Sequence, residues 1–143
     1  MKIAIGSDHG GFNYKTLIKQ SLIERGYEVV DVGTDDILSC DYPVYAKKVA
    51  TMVADSQVEK GILVCGTGIG MSIVANKFRG VRAALCSDEF SAQATREHNN
   101  SNVLCLGERV LDKEKMLKIV DIWLNTSFSN DERHIRRINM IEE

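Results

Sequence analysis

The sequence predicts one three-layer α/β domain with a five-stranded parallel sheet between layers of helices. Five short apolar segments recur along the chain, and stretches with helical periodicity separate them. Apolar strands that alternate with helices are typical of a parallel sheet covered on both faces. With 143 residues, of which 44% are hydrophobic, the chain is long enough to bury one substantial core.

The apolar segments place the strands, and the stretches between them predict the helices. The predicted strands span 2–7, 27–32, 61–65, 81–86 and 103–106. The first helix is indicated by apolar residues at helical spacing, Tyr14, Leu17, Ile18, Leu22 and Ile23. Gly26 is expected to end that helix, and Pro43 suits the first turn of the second. Ser87 and Asp88 are expected to cap a helix that reaches about Glu97. Later helices are predicted over 111–124 and from about 130 onward.

The expected topology locates a ligand site. Right-handed crossovers leave few strand orders, and we expect the Rossmann-like order 2-1-3-4-5. Such sheets bind ligands beyond the carboxyl ends of the strands, where the strand order reverses. Asp8 and His9 follow the first strand, and Cys65 and Gly66 end the third. The sequence therefore predicts a site between these two strand ends, in a single domain spanning 1–143.

The composition excludes several classes of protein. A net charge of −2, with both signs interspersed, argues against a nucleic-acid or membrane-surface partner. No apolar run approaches the ~18 residues of a transmembrane helix, and the N-terminal segment is typical of a strand rather than a signal peptide. Four cysteines without a C-x-x-C pair favour reduced thiols in a cytoplasmic protein. In the absence of a clustered ligand motif we expect neither a metal nor a cofactor.

The stretch G-I-L-V-C-G-T-G-I-G-M-S, residues 61–72, is the strongest candidate for a binding site. Its strand ends in Cys65, and three glycines follow at alternate positions before a helical pattern begins. Glycines let backbone N–H groups approach a ligand closely, and a helix N-terminus favours an anion. The P-loop and dinucleotide signatures are both absent. The pattern predicts an anion site, although a tight strand-to-helix turn would also need glycines.

Cys65 has two interpretations. At the edge of an anion loop a thiolate is favoured over a thiol, and Cys65 would then be a base beside an anion hole. Cysteine is also among the residues most often buried as a small hydrophobe. Cys86 and Cys105 are expected to be of this second kind, because each lies in an apolar strand.

The histidines and arginines leave alternatives open. His9 falls at the predicted active edge, whereas His98 precedes the fifth strand and so lies at the wrong end of the sheet. His98 would reach the site only if its loop curls over or a partner subunit supplies it. Arg133 and Arg137 are four residues apart on one face of a helix. They are either a solvated surface or a two-arginine fork for phosphate.

Several motifs together resemble a known family. They are S-D-H-G-G at 7–11, D-Y-P at 41–43, C-G-T-G-I-G-M-S at 65–72, A-N-K at 75–77, G-V-R-A at 80–83, H-N at 98–99, N-V-L at 102–104 and R-H-x-x-R at 133–137. At matching spacing over essentially the whole chain, they resemble the type B ribose-5-phosphate isomerases, whose family includes galactose-6-phosphate isomerase subunits. The C-G-T-G-x-G and H-N motifs are the most specific parts of this resemblance.

The resemblance implies a metal-free interconversion of ribose 5-phosphate and ribulose 5-phosphate, in a homodimer or dimer of dimers with its site between subunits. By motif, Cys65 resembles the base, Thr67 a helper of proton transfer at the sugar oxygens, and His98 the ring-opening acid and base. The positions that resemble substrate contacts are Asp8, His9, Asp41, Tyr42, Gly66, Gly68, Ile69, Gly70, Ser72, Asn99, Arg109, Arg133 and Arg137. The stretch 130–143 is expected to pack on a partner subunit.

Three rival functions are weighed against this one. The nearest is the same reaction on allose 6-phosphate or galactose 6-phosphate, or on rare free sugars. His98 and Asn99 favour ribose, because galactose-type subunits typically lack this pair. A thiol redox protein would need a resolving cysteine near Cys65, and a non-catalytic sugar-phosphate binding module would not need Cys65.

Overall fold

The strands form where the sequence has its apolar runs. In the computed structural model, which describes residues 1–143, they are β1 (Lys2–Ser7), β2 (Glu28–Asp31), β3 (Lys60–Cys65), β4 (Ala83–Leu85) and β5 (Val103–Gly107). All four strand pairings are parallel, as predicted. The strand β4 is only three residues long and half-exposed, whereas every residue of β5 is buried.

The predicted strand order is wrong at one edge of the sheet. The observed order is β2-β1-β3-β5-β4, so that β5 lies between β3 and β4 rather than at the edge. The physical reason is burial, because the wholly apolar β5 is covered on both faces and the short, half-exposed β4 suits an edge. The strand order still reverses between β1 and β3, which remain neighbours. The site is therefore still expected between the ends of these two strands.

The chain forms six α-helices, of which the first five pack on the sheet and the last packs on the fourth. They are α1 (Phe12–Glu24), α2 (Tyr42–Ala54), α3 (Ile69–Ala75), α4 (Glu89–Asn99), α5 (Lys113–Asn125) and α6 (Glu132–Ile141). The cap predicted for α4 is confirmed, because the Asp88 carboxylate accepts a 2.6 Å hydrogen bond from the Ser91 N–H. This helix extends past the predicted end at Glu97 to Asn99, so that His98 lies in its last turn. No helix is long and apolar enough to cross a membrane.

The helices form two layers, each with its own core. One core joins α1, α4 and α5 to the sheet through residues that include Ile18, Leu22, Ala92, Met116 and Trp123. The other joins α2 and α3 to the opposite face through residues that include Ala46, Val49, Val53, Met71 and Ala75. Because crossovers are right-handed, the return from β4 to the inner strand β5 places α4 on the face of α1 and α5. The strand order thereby fixes where the end of α4 lies.

Candidate active site

Cys65 ends β3 at the carboxyl edge of the sheet and is buried, with 6% of its surface exposed. Its sulfur accepts a 3.0 Å hydrogen bond from the Gly68 N–H. Gly68 has a φ of 80°, a left-handed conformation that favours glycine and turns the chain back over the sulfur before α3 begins. The loop geometry thus supplies a backbone donor to Cys65, as a thiolate would need.

The loop after Cys65 presents further donors to the same place. The N–H groups of Gly66, Thr67 and Gly70 donate no hydrogen bond within the chain. Thr67 is exposed, and its hydroxyl oxygen accepts a 3.2 Å hydrogen bond from the Ile69 N–H. The hydroxyl proton of Thr67 therefore remains available to a ligand. Free N–H groups close together at a strand-to-helix turn are the kind of donors that can stabilise an anion.

The loop after β1 packs directly on the glycine loop. A Cβ atom placed on Gly10 would lie 3.2 Å from the Gly66 nitrogen, so the two loops touch. The Asp8 carboxylate accepts a 2.9 Å hydrogen bond from the Gly10 N–H, which leaves its other oxygen free. Both Asp8 and His9 are half-buried at this edge. The structure thus brings the two predicted strand ends together.

The segment before α2 and the segment after β5 enclose the same loops. Gly70 lies against the Tyr42 ring so closely that a Cβ atom there would be 2.5 Å from Cε1, and Asp41 precedes Tyr42 at the start of α2. The Arg109 N–H donates a 3.0 Å hydrogen bond to the Gly66 carbonyl, which places the exposed guanidinium over Gly66. Ser72 is tied into the first turn of α3 by a 2.7 Å hydrogen bond from its hydroxyl to the Ile69 carbonyl.

The structure does not bring His98 and Asn99 to this cluster. Both are exposed in the last turn of α4, which leads into the amino end of β5. Cys65 pairs with Gly107 at the other end of that strand. A five-residue strand spans about 16 Å, so that these side chains and Cys65 lie at opposite edges of the sheet within one chain.

Arg133 and Arg137 also lie at the amino edge. The helix α6 that carries them begins beside the end of α4, where the Ser129 hydroxyl donates a 2.8 Å hydrogen bond to the Glu97 carbonyl. Its far end is held by a 2.6 Å ion pair between Glu142 and Arg82, the residue just before β4. Both arginines are exposed. The predicted site residues therefore form two groups within one chain. The group around Cys65 lies at the carboxyl edge of the sheet, and the group of His98, Asn99, Arg133 and Arg137 lies at the amino edge.

The other buried cysteines differ from Cys65 in their surroundings. Burial, together with nearby Asp88, raises the pKa of Cys86 to about 11. Burial raises the pKa of the Cys105 thiol further, and Cys65 and Cys86 add to the effect. Both thiols are therefore neutral at neutral pH, as expected for cysteines that act as small hydrophobes.

Two features near the site were not predicted from the sequence. The buried Lys15 ammonium contacts both Asp31 oxygens at 3.0 Å and donates to the Thr34 carbonyl, which holds the start of the loop that leads to Asp41. The half-exposed Cys40 donates its N–H to His9 Nδ1 at 3.2 Å. No sequence pattern indicates that a lysine and an aspartate sixteen residues apart form a pair. Cys40 belongs to no motif in its polar loop, so its contact with His9 could not be predicted either.

The fold and the loops define an α/β protein with a loop of free backbone N–H donors beside a cysteine, at the carboxyl edge of its sheet. The chain belongs to the ribose/galactose isomerase family, whose model matches residues 3–141. It is 50% identical to ribose-5-phosphate isomerase B of Escherichia coli over 140 residues, which cover 98% of this chain and 93% of the relative. It is also 50% identical to a putative sugar phosphate isomerase of Bacillus subtilis, over 100% of this chain and 96% of the relative.

Solved structures agree with this assignment. Ribose-5-phosphate isomerase B of Clostridium thermocellum superposes with a TM-score of 0.97 at 49% identity, covering 99% of this chain and 95% of that one. The Mycoplasma genitalium enzyme with bound ribulose-5-phosphate superposes with a TM-score of 0.94 at 42% identity, covering 99% and 93%. The family resemblance noted in the sequence is thus confirmed, and its members are isomerases.

Proposed function

We propose that this chain interconverts ribose 5-phosphate and ribulose 5-phosphate through an enediolate, with Cys65 as the base. The observation that carries the proposal is the buried Cys65 sulfur, which accepts the Gly68 N–H beside a loop of free N–H donors. A hydrogen beside a carbonyl is only weakly acidic, so its removal needs a positioned base and a prepared site for the oxyanion. Both lie at the end of β3.

In the proposed reaction, the proton that is removed from the sugar at this loop is later returned to it. The Cys65 thiolate takes the proton from C2 of the open-chain aldose, and the electron pair moves towards the carbonyl oxygen to give the enediolate. The free N–H groups of Gly66, Thr67 and Gly70 stabilise that oxygen. The Thr67 hydroxyl helps to move a proton between O2 and O1, and Cys65 then returns its proton to C1 to give the ketose.

A second copy of the chain completes the site. The amino edge of its sheet supplies the groups that lie too far from Cys65 within one chain. His98 of the second copy opens the sugar ring, with its Asn99 beside the sugar. Arg133 and Arg137 of that copy bind the phosphate, together with His9 and Arg109 of the first. Asp8 and Asp41 orient the sugar hydroxyls.

Exposed apolar surface supports this assembly. A groove of about 590 Å³ runs along the uncovered edge strand β4 and is lined partly by Leu85, Phe90 and Ile141. Phe90 is 79% exposed and Ile141 is 60% exposed. Large apolar side chains next to an unpaired strand edge are typical of a surface that a partner covers. A partner copy would bury them.

The proposal is tested by proton exchange in deuterated water, followed by NMR with a chelator present throughout. Ribose 5-phosphate and allose 6-phosphate are supplied in separate tubes. We expect ketose to appear from ribose 5-phosphate, with deuterium beside the carbonyl, and a slower reaction with allose 6-phosphate. Binding of ribose 5-phosphate without any exchange would contradict the proposal and favour a non-catalytic binding module.

A further inference from the structure

The rings of His98 and His134 are stacked. Their centroids are 4.5 Å apart, and their planes differ by 22°. His134 is the only buried residue of α6, with 8% of its surface exposed, whereas His98 is exposed on the last turn of α4. An otherwise solvent-facing imidazole thus has one fixed neighbour within its own chain.

The backbone around the stack fixes the position of His134. The N–H and the hydroxyl of Ser129 both donate to the Glu97 carbonyl, at 3.3 Å and 2.8 Å, and so join the end of α4 to the segment before α6. The helix α6 then begins at Glu132 and is capped by Asp131, whose carboxylate accepts a 3.0 Å hydrogen bond from the Arg133 N–H. These hydrogen bonds hold His134 against His98 within one chain, and they do not depend on any partner at the exposed face of α6.

We propose that His134 is a positioning residue that holds the His98 ring in the orientation needed for ring opening. The inference rests on the proposed function, in which His98 of one copy acts at Cys65 of another. A free histidine on a helix end would sample several rotamers, and a group that transfers a proton across an interface must be held close to its productive geometry. Stacking on a buried ring restricts His98 without using either of its nitrogens.

The charge state of His134 suits this role. Burial lowers the pKa of His134, and the like charges of His98, Arg133 and Arg137 lower it further, opposed only by Asp131. These are the groups that face it from α4 and from its own helix. A neutral His134 does not repel a proton that His98 takes up during ring opening.

Ring opening and proton transfer at carbon can be measured separately, because only the reaction that starts from ribose 5-phosphate requires a ring to be opened. Ribose 5-phosphate is a closed ring in solution and must be opened. Ribulose 5-phosphate cannot close through its phosphorylated 5-oxygen, and deuterium exchange at its C1 therefore needs only Cys65 and the loop. A residue that serves His98 should affect the first reaction and spare the second.

The experiment compares His134→Leu, which removes the stacked ring, with His134→Phe, which keeps it. We expect His134→Leu to slow the conversion of ribose 5-phosphate by about tenfold, the upper end of what a stacked aromatic pair is worth. His134→Phe should restore the rate to within about twofold of wild type, and C1 exchange of ribulose 5-phosphate should stay unchanged in both variants. His98→Asn, measured in parallel, should show the same split.

Three outcomes would overturn the inference. Equal losses in both reactions would indicate a merely structural role, and no loss in either variant would show that the stack is idle. A loss in His134→Phe as large as in His134→Leu would show that a ring nitrogen, not the ring, is needed. A wild-type chain that performs neither reaction would contradict the proposed function itself, which is a separate result.

In the NMR spectrum, the His98 ring protons should lose their ring-current shift in His134→Leu and keep one in His134→Phe.

Discussion

At the scale of the residue, four cysteines in one chain differ by where the backbone places them. Cys86 and Cys105 are surrounded by apolar side chains, which favour the neutral thiol. Cys65 is equally buried, but its sulfur has a main-chain donor at 3.0 Å. A sulfur that loses its proton at this position would keep this backbone partner. The same residue type is thus a core side chain at two positions and a candidate base at a third.

Replacing Cys65 with alanine should nearly abolish isomerisation while substrate still binds. The substitution removes the base but leaves the loop, whose N–H groups belong to the backbone. Turnover and affinity for ribose 5-phosphate are measured by NMR and calorimetry, with Cys86→Ala as the matched control, expected to stay close to wild type. Turnover near the wild-type rate in Cys65→Ala would remove Cys65 from the mechanism.

Replacing Arg137 with alanine should mainly weaken the binding of the phosphorylated sugar. Each hydrogen bond to a charged group contributes about 1.5–3 kcal/mol, so we expect affinity to fall by about 10- to 100-fold. Arg136→Ala is the matched control, because Arg136 is a neighbouring exposed arginine on α6 outside the proposed fork. Titration with ribose 5-phosphate checks this, and equal affinities in the two variants would count against the fork.

At the scale of the element, a buried ion pair fixes the loop between β2 and α2. Lys15 is 2% exposed, and its partner Asp31 also accepts hydrogen bonds from the Gly33 N–H at 2.9 Å and from Lys19 at 3.2 Å. Partial burial raises the pKa of Asp31, but these contacts outweigh it and hold the pKa below its usual value. The loop that carries Asp41 is therefore anchored at its start.

Replacing Asp31 with asparagine should lower the free energy of unfolding by about 2–3 kcal/mol at pH 7, because it leaves the buried Lys15 charge unpaired. A lowered folded-state pKa stabilises the fold above the unfolded value of about 3.9 and loses that effect as the pH falls through the folded value. The difference between variant and wild type should therefore shrink as the pH falls below about 3.9, and disappear once the pH lies below the folded-state pKa of Asp31. Urea titrations across this range measure it.

The matched control for Asp31→Asn is Glu28→Gln. Glu28 lies on the same strand as Asp31, β2, and forms an exposed ion pair with Lys2 of β1 at 3.9 Å. Exposed pairs contribute little to stability, and we expect no measurable change at any pH. A loss of stability in Asp31→Asn that does not shrink at all as the pH is lowered from about 7 to about 2 would show that the ion pair is not its cause.

The sequence predicted the elements better than their arrangement. The apolar run 103–106 identified β5, but periodicity along a chain does not say which strand lies at the edge, and the order of β4 and β5 was wrong. The Cys65 loop was predicted well because strand, cysteine and glycines are contiguous. The Lys15–Asp31 pair and the His98–His134 stack join residues distant in the chain, and no local pattern signals them.

At the scale of the whole molecule, the proposed machinery is divided between the two edges of one sheet. The base and the anion loop lie at the carboxyl end of β3, and His98, Arg133 and Arg137 lie beyond the amino end of β5. One strand length separates them, which no side chain spans. A catalytic site between two copies is the arrangement that uses both edges.

The most direct test of this account pairs differently tagged chains and purifies the hetero-oligomer through both tags. If the site lies between copies, Cys65→Ala paired with His98→Asn contains one complete site and should convert ribose 5-phosphate at about half the wild-type rate. A wild-type chain paired with a Cys65→Ala/His98→Asn double variant should then contain no complete site and be nearly inactive. An active second pairing and an inactive first one would contradict the account, because each site would then be complete within a single chain.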